Sequence, residues 1–110
     1  MQFTVLAAAA MAAVAQAGHA TYFTPNGHAG ACGWGINNDA WAVALPPHAW
    51  DNGAHCGKGI KIKHNGKVLD GYIADLCAEG CAPDQVDLVQ GFFQQFAPLS
   101  KGEIVVDWWY

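Results

Sequence analysis

The chain has no arginine, and its five lysines are outnumbered by nine acids for a formal net charge of −4. A surface that binds phosphates needs a dense basic patch, so nucleic acid is excluded as a partner, and a membrane surface is excluded for the same reason. No Asn-x-Ser/Thr sequon occurs, so N-glycosylation is not expected. The histidines His19, His28, His48, His55 and His64 lack metal-ligand spacing, and the cysteines lack paired Cys-x2-Cys knuckles. No metal and no cofactor are therefore expected. An N-terminal copper site at His19 would need cleavage after Gly18, which leaves Gln16 where signal peptidase prefers a small residue.

There is one long apolar run, Phe3 to Val14, without a charge, followed by Ala15-Gln16-Ala17. It is too short to span a bilayer and has no polar face, and a small-x-small pattern follows it. This predicts a signal peptide over 1–17, secretion, and one domain over 18–110, since no repeat or linker interrupts the remainder. A secreted domain of this size is marginal without covalent help. All four cysteines, Cys32, Cys56, Cys77 and Cys81, lie in this part, so disulfides are expected rather than a cysteine nucleophile. Three pairings are possible. The favoured one closes the Cys77-Ala-Glu-Gly-Cys81 turn and leaves Cys32 to join Cys56.

Short alternating segments predict strands at Ala20 to Phe23, Trp41 to Leu45, Ile60 to His64, Val68 to Ala74 and Ile104 to Tyr110. Asn65-Gly66 marks a primed hairpin turn between two of them. One helix is expected, Val89 to Phe96, with Asp87 just before its positive end, and one helical turn at Pro46 to Trp50. Many short strands with little helix point to an all-β barrel, whose closure removes exposed edges. The five tryptophans, Trp34, Trp41, Trp50, Trp108 and Trp109, provide either core or flat faces on which sugar rings stack.

The strings Ala20-Thr21-Tyr22-Phe23, Gly30-Ala31-Cys32-Gly33 and Gly53-Ala54-His55-Cys56-Gly57 resemble the first half of expansin, barwin and rare-lipoprotein-A proteins. Ile73-Ala74-Asp75-Leu76-Cys77, Val86-Asp87-Leu88 and Gly102-Glu103-Ile104-Val105-Val106-Asp107-Trp108 are similar to the second half. The resemblance implies a six-stranded double-psi β-barrel with one or two short helices. The single-domain size looks like small fungal stand-alone, loosenin-like members. It further implies a protein that loosens cell-wall polysaccharide, of the cellulose, chitin or peptidoglycan class, without cutting it.

On that resemblance Asp87 matches the carboxylate that acts as general acid in related endoglucanases, Asp75 matches the second acidic position, and Thr21 with Tyr22 match the first strand. With an exposed ring such as Trp34 they would line a polysaccharide groove. Capping and turn-stabilising roles are the simpler readings of Asp87 and Asp75. Hydrolysis needs a second carboxylate across the scissile bond. The endoglucanase relatives carry it just after the first strand, where this chain reads Phe23-Thr24-Pro25-Asn26. A lytic transglycosylase needs only one acid/base, but those relatives carry a histidine where this chain has Ala44-Leu45. The alternative function is binding of a protein target, as a protease inhibitor or effector, through the loops Trp34 to Asp39 and Trp50 to Ala54.

Overall fold

The computed structural model describes residues 15–110. The expected signal peptide therefore lies outside the described residues except for 15–17. Six strands are present: β1 (Gln16–Phe23), β2 (Ala42–Leu45), β3 (Gly59–His64), β4 (Lys67–Leu76), β5 (Gln85–Val89) and β6 (Ile104–Trp109). They close into a barrel in the order β1-β5-β2-β4-β3-β6, with β1·β5 and β2·β4 parallel and the other pairs antiparallel. The all-β, six-stranded double-psi barrel expected from the sequence is the observed fold. Two helices of one turn each, α1 (Pro47–Trp50) and α2 (Gln90–Phe93), complete it.

Alternation explains the barrel. Ala20, Val43, Leu45, Ile60, Ile62, Ile73, Val86, Leu88, Ile104, Val106 and Trp108 point inward into one cluster, which Phe92 and Phe93 of α2 cap. The buried Trp108 indole stays paired, donating from Nε1 to the Asp84 carbonyl at 3.2 Å. A second, smaller cluster of Ile36, Ala42, Ala74 and Val89 forms where the long loop between β1 and β2 folds over the outer barrel face. At the hairpin, Asn65 and Gly66 both adopt positive φ, 49° and 83°, and His64 pairs with Lys67.

The structure corrects two sequence expectations. Val89 belongs to β5, and the α-helical turn spans only Gln90–Phe93, followed by tight turns in which Gln95 and Phe96 donate to the carbonyls of Phe92 and Phe93. Asp87 consequently sits inside a strand and not before a helix. Val86 and Leu88 dictate this: both are fully buried, and a strand is what places alternate residues on one face.

The disulfides join Cys32 to Cys56 and Cys77 to Cys81, the pairing favoured from the sequence. The first ties the long loop to the segment preceding β3, and the second closes the turn between β4 and β5. Gln16 and Ala17 pair with Trp108 and Asp107, so cleavage before Gly18 would shorten β1 by two residues and leave Gly18–Phe23 to hold its place.

Candidate polysaccharide groove on the outer barrel face

Three neighbouring strands place the site. In register, Asp87 of β5 lies between Thr21 of β1 on one side and Ala44 of β2 on the other, and Ala44 is in turn opposite Asp75 of β4. With strands about 4.8 Å apart, the two aspartates stand roughly 10 Å from each other at their backbones, flanking a methyl floor. Asp75 reaches this row because the β2·β4 register shifts after Val43: Val43 pairs with Ile73 and Ala44 with Asp75, so Ala74 is the extra residue of a bulge.

The two carboxylates have different surroundings. Thr21 Oγ1 donates to Asp87 Oδ1 at 3.0 Å, and Gln85 Nε2 donates to Thr21 Oγ1 at 2.9 Å. Burial pushes the Asp87 carboxyl up to about 6; the Thr21 hydrogen bond opposes this, and the Asp75 charge adds to it. Asp75 Oδ1 accepts from the Ala31 N–H at 2.7 Å and from the Leu76 N–H at 2.8 Å. It thus straps the β1–β2 loop to β4, as well as lending its charge to the groove. Gly30 makes that close approach possible: a Cβ there would lie 2.5 Å from the Ala74 carbonyl oxygen and 3.0 Å from Asp75 Cβ.

Of the residues assigned to the groove from the sequence, Thr21, Asp75 and Asp87 come together. Tyr22 does not. It pairs with Leu88 on the inward face, and its ring packs 5.0 Å from that of Phe93. Neighbouring residues of a strand face opposite ways, so Thr21 and Tyr22 cannot share one groove wall. Trp34 is 40% exposed on a turn held by the Gly30 N–H to Trp34 carbonyl bond, with its ring against Gly57 beside the Cys32–Cys56 disulfide. Gly57 in turn donates its N–H to the Ile73 carbonyl of β4 at 2.7 Å, two residues before Asp75. Trp41 is also exposed and stacks on Phe92 at 5.2 Å, whereas Trp108 is core.

Gln85 is the site residue that sequence reading missed. Its signal was present in the alternation of Gln85-Val86-Asp87-Leu88, which puts Gln85 and Asp87 on one face. A separate cavity of about 460 Å3 opens at the far side of the hairpin, among His64, Phe96, Lys101, Glu103, Ile104 and Val105. None of the groove residues lines it. The row lies on the outer face of the barrel, with Thr21, Asp75 and Asp87 half-buried and Ala44 buried between the two carboxylates. Among the described residues no cluster of three or more His, Cys, Asp or Glu side chains is arranged to hold a metal ion.

A closed six-stranded barrel with two parallel strand pairs, two disulfides and a strand aspartate held by a threonine of β1 defines an expansin-like double-psi domain. No family model matches the chain. It is 35% identical over 109 residues to an EG45-like domain containing protein from Citrus jambhiri, covering 87% of this chain and 82% of that protein. The chain belongs to this EG45-like, expansin-like family. A papain inhibitor from Streptomyces mobaraensis is 31% identical over 94 residues, covering 79% of this chain and 64% of the inhibitor. These relatives are plant and bacterial, unlike the fungal stand-alone proteins that the sequence resembles.

Among solved structures, an aspartate-to-asparagine mutant of a Clavibacter michiganensis expansin in complex with cellohexaose superposes with a TM-score of 0.78 at 20% identity. The match covers 86% of this chain and 49% of that one, so the fold alone is shared, over about half of the expansin. The Streptomyces papain inhibitor structure has a TM-score of 0.75 at 28% identity, covering 89% of this chain and 93% of the inhibitor.

Proposed function

We propose that the chain is a secreted, cell-wall-directed protein that binds polysaccharide along the Thr21–Asp87–Ala44–Asp75 row and loosens it without hydrolysis. The observation that carries this reading is the row itself: two carboxylates on neighbouring strands, one with its proton affinity raised by burial, offer sugar hydroxyls acceptors and, when Asp87 is protonated, a donor. Support for a β-glucan as ligand comes from the same fold in the expansin solved with cellohexaose.

The chemistry favours binding over cleavage. Asp87, at about 6, is suited to give or take a proton, but hydrolysis also needs a base or nucleophile across the bond. After β1 the chain offers Thr24, whose hydroxyl is engaged with Gln90 Oε1 at 2.7 Å, and no carboxylate before Asp39. Titration with cello- and chito-oligosaccharides, followed by tryptophan fluorescence, tests the reading. Saturable quenching that persists in 1 M salt and weakens at least tenfold in Asp87→Asn is expected; quenching that salt abolishes, or that the variant leaves intact, would count against it.

A second reading has its own support in the papain inhibitor, which matches this chain in sequence and over nearly its whole solved structure. Under it a protein target docks on the exposed loops 34–39 and 50–54, and the groove is a bystander. Inhibition of papain that survives Asp87→Asn but falls with Trp34→Ala would establish this reading in place of the first.

A further inference from the structure

The Ala82 N–H donates to the Gln85 side-chain oxygen at 3.1 Å, the Gln85 amide nitrogen donates to Thr21 Oγ1 at 2.9 Å, and Thr21 Oγ1 donates to Asp87 Oδ1 at 3.0 Å. Each direction is fixed by chemistry. A backbone N–H can only donate, so the Gln85 atom facing Ala82 must be Oε1, which turns Nε2 toward Thr21. The threonine oxygen then accepts, and its single proton has one remaining destination, Asp87. Without Gln85 the hydroxyl could rotate and accept from a protonated Asp87 just as well as it donates to an ionised one.

We infer that Gln85 is a positioning residue: it locks the Thr21 hydroxyl as a donor to Asp87 Oδ1 and so reserves Oδ2 as the oxygen that exchanges a proton or a hydrogen bond with a groove ligand. The backbone end of the relay is Ala82, immediately after Cys81 of the disulfide-closed turn, so a covalently restrained segment orients a carboxylate further along β5 by way of a hydroxyl on the neighbouring strand β1. The inference deepens the polysaccharide reading and rests on it for the role of Asp87, while the relay itself is independent of any ligand.

The hydrogen bond from Thr21 lowers the proton affinity of Asp87 against the opposing effect of burial. Other charged groups on the neighbouring strands are Asp75 across Ala44, Asp107 of β6 opposite Ala17, and His19, whose ring lies 3.3 Å from Asp84 and 4.0 Å from Glu103. These are unchanged by a substitution of Gln85 that keeps the charge.

The test is a carboxyl-carbon NMR titration of Asp87 in the oxidised full chain, without polysaccharide, on the wild type, Gln85→Met, Thr21→Val and the double variant. A randomised threonine rotor should raise the Asp87 midpoint in Gln85→Met by about half a pH unit, roughly a threefold rise in proton affinity. The effect should vanish in the Thr21→Val background and persist in Thr21→Ser, which keeps the hydroxyl and also serves if the valine variant folds poorly. An unchanged midpoint in Gln85→Met, or an equal rise with and without the Thr21 hydroxyl, overturns the relay. Failure of the wild type to bind any polysaccharide would instead overturn the functional reading and leave the titration result standing.

Discussion

Asp87 links stability to function at the scale of one residue. Its carboxyl rises from 3.8 to about 6 on folding, so between those values the native state holds a proton that the unfolded chain has released. By linkage, the stability that Asp87 contributes is fully present below about pH 4, is lost as pH rises toward 6, and is absent above it. The full difference corresponds to at most about 3 kcal/mol. Replacing Asp87 by Asn removes the buried charge and leaves an oxygen for Thr21 to donate to. Urea unfolding should therefore find Asp87→Asn more stable than the wild type by about 1 to 3 kcal/mol at pH 7.5 and equal to it near pH 3.5. An unchanged difference between the two pH values would show that packing and not ionisation is responsible. Such a gain on removing a site residue is the expected signature of a group kept for function.

How far the residues were legible followed from this same scale. The ordered motifs around Asp75 and Asp87, with the string that holds Thr21, single out three residues that the fold places on neighbouring strands. Tyr22 was misplaced because a motif carries residue identity and not side-chain direction; simple alternation with Thr21 separates the two. Gln85 escaped because its function is to orient a hydroxyl, and no residue spacing encodes the direction of a hydrogen bond.

Among the elements, β5 was the one that sequence reading lost. Val86, Leu88 and Val89 continue into Phe92 and Phe93, and this apolar string fits a helical stripe as well as a strand until the barrel demands inward-facing Val86 and Leu88. The hairpin at Asn65-Gly66 was legible because a primed turn depends on two local dihedrals. The disulfides operate at this scale too, each fastening a loop next to the groove. With 24 residues separating Cys32 from Cys56 and 4 separating Cys77 from Cys81, the chain-entropy model assigns about 3.5 and about 2 kcal/mol to them. Paired alanine replacements should follow that order in chemical denaturation. A larger loss from the short bridge would mean that the turn before β5 matters beyond its chain entropy, as the Gln85 relay implies for the carboxylate.

For the whole molecule, the barrel gives rigidity while the net charge of −4 and the lack of arginine remove electrostatic steering toward anions. What remains for recognition is a row of hydrogen-bonding groups on the outer barrel face and the exposed Trp34 and Trp41, on a fold shared with a cellohexaose-bound expansin and with a papain inhibitor. The most direct test is a pull-down of the oxidised protein on insoluble cellulose, chitin and peptidoglycan, wild type beside Asp87→Asn, with released reducing sugar assayed in the same tubes. The account predicts retention on at least one polymer, a clear loss of retention in the variant, and no sugar release. Retention on none of the three, or sugar release that depends on Asp87, would contradict it.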